Sequence, residues 1–374
     1  MQDYLIIARS GRSLSASAKR AGFRVHVLDC FADQDTRQLS ETVNQLQCDD
    51  QGFSKAQLMQ SVSDVLSVYP NTSIVTGSGF EANPELIDAL RRLAPVYSNT
   101  NETITLLKQP DTFFKLLDMN SIKYPEFLLN YPDNPENYLI KEIASMGGEQ
   151  VQWCRDVSCE DSLNSYFQKY VDGTVSSAVF LADGQCSRIV GFNKQWQSKQ
   201  FASMPFLYSG ACSIGNVTDR HYDEIERIIN CIVKQSGLQG LCGLDYILTE
   251  AGEIYVLEVN PRPPASFELH ETGTSLFDAH VSCFDDRMKD LKLERCNACR
   301  AYVILYAEHD IQIPIDFEWP VWVKDRPSSG ARIKKHYPVC TVHVEEHYLS
   351  DISEAIQLRR DQIEATLMLF KDAA

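Results

Sequence analysis

Four side chains in one short stretch of this sequence carry recognisable chemistry: Asp245, Glu258, Asn260 and Arg262. Residues 243–262 read as a strand, a turn at residues 250–252 and a second strand, which is a β-hairpin. Side chains alternate across a strand, so Glu258 and Asn260 share one face and can converge with Asp245. Two carboxylates and an amide oxygen form a hard, all-oxygen donor set. Such a set suits a Mg²⁺ ion that carries nucleotide phosphates. Arg262 adds a fixed cation beside it. The pattern points to a Mg-ATP site.

The order Asp…Glu-x-Asn-Pro-Arg, with a turn between its halves, resembles the metal-binding hairpin of the ATP-grasp superfamily. Members include D-alanine–D-alanine ligase, biotin carboxylase, glutathione synthetase and carboxyaminoimidazole ribonucleotide synthase. The resemblance implies an α/β and α+β chain in three parts. These are an amino-terminal doubly wound parallel-sheet domain (residues 1–105), a linker helix and small lid (106–200), and a metal-binding subdomain with a β-rich end (201–374). ATP would lie between the last two.

By the same resemblance, Lys108 and Lys141 match the two lysines that grip nucleotide phosphates, a role suited to flexible point charges. Residues 145–149 match the glycine-rich lid loop, where Gly147 and Gly148 let bare backbone approach the phosphates. Gln168, Lys169 and Val171 occupy the adenine hinge. There the backbone of Lys169 and Val171 would read the base, with Phe167, Val171 and Leu257 as apolar walls. The family's acidic ribose contact has no counterpart, since Thr174 and Val175 follow Gly173. The implied chemistry is attack of a carboxylate on the γ-phosphate, with Lys108 and Lys141 offsetting charge, to give an acylphosphate whose oxygens Arg262 would hold, then displacement of phosphate by an amine. His270 and Glu271 are candidates for a general base towards that amine.

Composition frames this reading. The chain has 374 residues, enough for two or three domains. Its 35 basic and 51 acidic residues give a net charge of −16, which disfavours nucleic acid as a partner, because phosphate neutralisation needs clustered Lys and Arg. No apolar run approaches the roughly 20 residues that span a bilayer, and no membrane partner is expected. The first residues lead into a strand without a basic leader, so a cytoplasmic protein with reduced thiols is expected. Of 12 cysteines only Cys296 and Cys299 form a C-x-x-C pair; without a second pair it reads as ordinary thiols or a zinc site, with thiols the simpler reading.

The elements that must position these groups are visible in the pattern. Strands at 4–8, 24–29, 73–76 and 95–97 alternate with helices near 13–21, 54–68 and 85–93, predicting a parallel sheet. Ligands of such sheets sit beyond the strands' carboxyl ends, which nominates the loops 10–13, with Arg12, and 76–81, with Glu81. Loop 10–13 could hold a substrate carboxylate or be a plain strand-to-helix turn. A helix at 112–119 follows Lys108, and residues 186–196 read as a strand pair. Residues 220–236 form an amphipathic helix with Ile225, Ile228, Ile229, Ile232 and Val233 on its core face. Strands from 301 onwards and a helix at 353–370 complete the chain.

Residues 9–13, 28–37 and 260–268 are similar to a narrower group, the predicted ATP-dependent carboligases found with methanopterin- and methanofuran-linked one-carbon metabolism. That likeness implies a carboxylate–amine ligase acting in cofactor biosynthesis, with a small acid and a small amine as partners and a homodimer as the family-level expectation. A bicarbonate-dependent carboxylase related to biotin carboxylase and a non-catalytic ATP-binding protein are the alternatives.

Overall fold

The strand Asp3–Ile7 is buried along nearly its whole length, which requires a sheet covered on both faces. The computed structural model, which describes residues 2–49, 52–157, 164–198, 200–215, 217–294, 296 and 298–368, supplies one. Five parallel strands run in the spatial order Thr42–Gln45, Arg24–Asp29, Asp3–Ile7, Ser73–Thr76 and Val96–Tyr97. The order reverses between Asp3–Ile7 and Ser73–Thr76, so the loops 8–13 and 77–81 open together at the switch point. Thr42–Gln45 went unpredicted because it is a short, polar, half-exposed edge strand.

A small antiparallel sheet follows, ordered Val151–Trp153, Tyr138–Glu142, Ser165–Lys169, Phe127–Leu128. Eight of the remaining strands form one antiparallel sheet, and the other four make two short pairs, Cys48–Asp49 with Gly52–Phe53 and Ile311–Gln312 with Arg332–Ile333. The large sheet runs from Ile254–Asn260 through Gln239–Leu248, Thr174–Asp183, Ser187–Gln197, Tyr208–Ile214, Cys299–Tyr306 and Pro338–Glu346 to Val323–Lys324. The β-rich carboxyl-terminal segment therefore extends the sheet that carries the metal-type hairpin. The helix Asp219–Ser236 packs on it through the five residues its periodicity picked out, all buried.

Two local readings change. Residues 186–196 form one strand, Ser187–Gln197, because nothing breaks it and its hairpin turn lies earlier, where Asp183 Oδ1 accepts from the N–H groups of Gln185 and Cys186. Lys108 does not precede its helix but ends one, Asn101–Lys108; Pro110 prevents continuation and starts Pro110–Met119. The closing helix spans Leu349–Met368, and the last residues of the predicted 353–370 lie outside the described residues. Cys296 and Cys299 turn to different carbonyls, those of Ala298 and His347. No helix among the described residues is long and apolar enough to cross a membrane.

The amino-terminal sheet is tied to the large sheet by Arg12, 4% exposed, at the start of helix Arg12–Arg20. Its guanidinium donates to both oxygens of Glu268 at 2.6 and 2.7 Å and to both of Asp325 at 3.0 and 3.1 Å. Burial alone would raise Glu268, but Arg12, His343 and Lys324 outweigh it and hold the carboxyl well below its usual range. A depressed carboxylate stabilises above its unfolded pKa and loses that contribution as pH falls through the folded value. Arg12→Ala should therefore cost about 3–5 kcal/mol in denaturant unfolding at neutral pH, because two buried carboxylates lose their partner. The deficit should shrink on acidification below about pH 4; an unchanged midpoint at pH 7 would refute the network's role.

Candidate nucleotide and metal site

The two strands of the hairpin pair in a register that sets Asp245 directly opposite Glu258 and Gly243 opposite Asn260. A bulge beside Asp245 leaves Leu257 unpaired. Because a bulge turns neighbouring side chains, Leu257 and Glu258 both face the same cleft although adjacent in sequence. Asn260 Nδ2 donates to Asp245 Oδ2 at 2.8 Å, and Gln195 Nε2 donates to Asp245 Oδ1 at 2.7 Å. Lys108 Nζ reaches Glu258 Oε2 at 2.9 Å and Asn260 Oδ1 at 3.3 Å. Burial and the neighbouring Glu258 push the Asp245 carboxyl up. Burial pushes Glu258 up as well, but Lys108 wins and holds it down. Glu258 keeps 44% of its side chain exposed to the cleft.

Across the cleft, of about 390 Å³, Lys141 extends from the small sheet and donates to Gln168 Oε1 at 2.6 Å. Burial lowers Lys141 to about 8, with Glu258 and Asp245 pulling more weakly the other way. Gln168 Nε2 is buried without a partner among the described residues. In the hinge, the Lys169 N–H bonds Glu126 O at 2.8 Å, and its side chain turns out to Glu126. The Lys169 carbonyl and the Val171 N–H have no partner among the described residues. Phe167 departs from expectation: it is buried in the small sheet's own core with Ile140 and Cys154 and does not line the cleft.

The glycine loop closes over this space. Gly147 and Gly148 hold φ values of +68° and +69°, which side-chain-bearing residues rarely adopt. Gly147 O accepts from Tyr208 N–H at 2.8 Å, and a Cβ on Gly148 would collide with Phe206 O. Arg9 reaches Glu149 of the same loop at 3.9 Å.

Residues 112–266 match the family model of the ATP-grasp domain. The chain carries an ATP-grasp domain. No curated protein matches the sequence. Solved structures resemble it along nearly its whole length. L-amino acid ligase from Bacillus licheniformis is 13% identical, covering 96% of this chain and 97% of that one, with a TM-score of 0.71. An ADP complex of N5-carboxyaminoimidazole ribonucleotide synthetase is 13% identical over 98% of both chains, with a TM-score of 0.65. Biotin carboxylase from Campylobacter jejuni is 11% identical over 92% and 87%, with a TM-score of 0.68. The whole chain thus has the ATP-grasp fold.

Within that fold the structure gathers Asp245, Glu258, Asn260, Arg262, Lys108, Lys141, Gly147, Gly148, Gln168, Lys169, Val171 and Leu257 around one cleft. Arg262 is gripped through Nε by Glu81, so the 76–81 loop positions it from the amino-terminal sheet. The stretches 9–13, 28–37 and 260–268 also meet: Arg12 binds Glu268, Gly11 N–H donates to Asp29, and Asp35 accepts from the N–H groups of Asp325 and Arg326.

Three candidates are placed otherwise. Arg12 is not an anion site, since its donors are filled by Glu268 and Asp325. His270 is 7% exposed, bonds Asn193 through Nε2 at 2.8 Å, and is lowered to about 4 by burial and then by Arg300. It is packed against Gly191 and Asn193 of strand Ser187–Gln197 and does not line the cleft. Glu271 accepts from Ser17, Arg20 and the Leu276 N–H. Proximity in sequence to the hairpin misled in both cases. Gln195 and Tyr208 were missed, although polar Asn193 and Gln195 at alternate positions of a strand were a readable sign of one lined face.

Glu258→Gln should abolish Mg-dependent ATP turnover while leaving the melting temperature within a few degrees; unchanged turnover would remove the metal assignment. Gly148→Ala should raise the KM for ATP at least tenfold, because neither the φ value nor the space admits a methyl group. An unaltered KM would show that the loop does not close on the nucleotide.

Proposed function

We propose that the chain is an ATP-dependent carboxylate–amine ligase that works through an acylphosphate. The observation that carries this reading is the convergence of Asp245, Glu258 and Asn260 oxygens with Lys108, Lys141 and Arg262 around one cleft under a glycine loop. The resemblance in fold to an L-amino acid ligase and to N5-carboxyaminoimidazole ribonucleotide synthetase supports the same reaction class.

The donor set fits magnesium. Opposed carboxylates, one pushed up by the other, favour a divalent cation between them, and two carboxylates with one amide leave room for phosphate and water ligands. Bound there, Mg²⁺ would neutralise charge on the β- and γ-phosphates. For the nucleotide, the open Lys169 carbonyl and Val171 N–H offer one acceptor and one donor. That pair matches the amino group and ring nitrogen of adenine's hydrogen-bonding edge. Lys108 and Lys141 meet the phosphates, and an anion restores to Lys141 the charge that burial disfavours. Arg262, braced by Glu81, would hold the acylphosphate oxygens.

The acid and amine are proposed to belong to the assembly of a methanopterin- or methanofuran-type one-carbon cofactor. The support is the likeness of the three stretches that meet around Arg12. Hydroxylamine replaces the unknown amine in a direct test: a panel of acids, L-glutamate included, is incubated with Mg-ATP and hydroxylamine. Acid-dependent hydroxamate with equimolar ADP is the expected outcome, and L-glutamate with tyramine should release ADP. Bicarbonate-dependent ADP release without any amine would instead establish a carboxylase.

A further inference from the structure

Tyr208 enters the cleft because of a second irregularity in the large sheet. Trp196 pairs with Gly210 and Gln197 with Tyr208, so Ser209 is the extra residue of a bulge. Bulges re-aim side chains and concentrate beside reactive sites. The N–H, the carbonyl and the phenol oxygen of Tyr208 are each held by a neighbour. Its N–H holds Gly147 O of the glycine loop at 2.8 Å, and its carbonyl accepts from Tyr306 Oη at 2.8 Å. Its phenol oxygen lies 2.7 Å from Tyr302 Oη.

The direction of that last bond follows from burial. Tyr302 is 2% exposed, and its phenol has no other hydrogen-bond partner among the described residues. If Tyr302 accepted, its own proton would be stranded in the core without an acceptor. Tyr302 therefore donates and Tyr208 accepts, which leaves the Tyr208 proton for another partner, and Tyr208 lines the cleft together with Asp245 and Arg262. Burial, only partly opposed by Tyr302, holds the Tyr208 phenol above the usual tyrosine range, so it stays protonated.

We infer that Tyr208 is a catalytic hydroxyl, donating a hydrogen bond to the acyl oxygen of the reacting carboxylate. The inference rests on the ligase reading. When the amine nitrogen adds to the acylphosphate carbon, the C–N bond forms and the carbonyl electron pair moves to oxygen. When that pair returns, the C–O bond to phosphate breaks, phosphate leaves with its electron pair, and the amine proton passes to it. Tyr208 keeps its own proton throughout. Lysines meet the charge on the phosphates; the charge that develops on the acyl oxygen calls for a neutral donor fixed in advance. Because the same residue's N–H holds the glycine loop, closing the loop and setting this donor are one event.

The test uses the full chain, Mg-ATP, hydroxylamine and the acid that gives most hydroxamate. Tyr208→Phe should lower kcat about 100-fold, the usual loss for one oxyanion donor. Its Mg-ATP Kd and its KM for the acid should stay close to wild type, while its melting temperature falls by a few degrees because the buried Tyr302 hydroxyl loses its acceptor. Tyr302→Phe, which keeps the phenol but releases its tether, should lower kcat less. An unchanged kcat in Tyr208→Phe overturns the inference alone, as does a loss matched by an equal loss of Mg-ATP affinity, which would make Tyr208 only a loop anchor. Absence of hydroxamate from the wild-type protein with every acid would overturn the ligase reading and this inference together.

Discussion

Like charges held face to face are the constraint around which this molecule is arranged. Asp245 and Glu258 are cross-strand partners in a partly buried setting, where two carboxylates repel and neither is well solvated. A hairpin would not keep such a pair for its own stability. Lys108 from a helix end, Gln195 from a strand two places along the sheet, and Asn260 each supply a bond that makes the pair tolerable. The cation and the amide donors occupy directions from which a metal and phosphates would be bound. In the proposed site that repulsion would supply the affinity for a cation, and the neighbours would set its strength.

Much of this was legible in the sequence where a short-range rule applied. The hairpin needs only alternation and a turn, and the helix Asp219–Ser236 buries the residues that 3.6-residue periodicity selects. The parallel sheet followed from alternating strands and helices, and the lysines and glycines from motif order. What could not be read depends on register or on distant partners. Leu257 beside Glu258 and the aim of Tyr208 both come from bulges, which leave no mark in composition. Glu81 bracing Arg262 joins residues 181 positions apart. His270 and Arg12 were misplaced for one reason: a polar residue near a motif looks available until its partners are known. Those partners, Asn193, Glu268 and Asp325, lie on other strands and turns.

The large sheet explains why the carboxyl-terminal segment matters to a site it does not line. Strand Cys299–Tyr306 pairs with Tyr208–Ile214, and its Tyr302 and Tyr306 fix the phenol and the carbonyl of Tyr208. Gly210 permits that approach, since a Cβ there would collide with Tyr302 O. The glycine loop, resting on Phe206 and Tyr208, is therefore supported from the far end of the chain. Asp325 and Lys324 carry the same support across to Arg12 and Glu268.

The grip of Glu81 on Arg262 has a consequence for how such proteins diversify. The loop that carries Glu81 lies at the switch point of the amino-terminal sheet, where a new substrate would be accommodated by changing length and side chains. Any such change also moves the brace of a cation embedded in the ATP-grasp hairpin. On the proposed reading specificity and reactivity would not be separate modules, and a loop borrowed from a relative would bring its own preference while unseating Arg262. Lineages that acquire new acids would have to alter both halves of this ion pair in concert, or route the brace through another residue first.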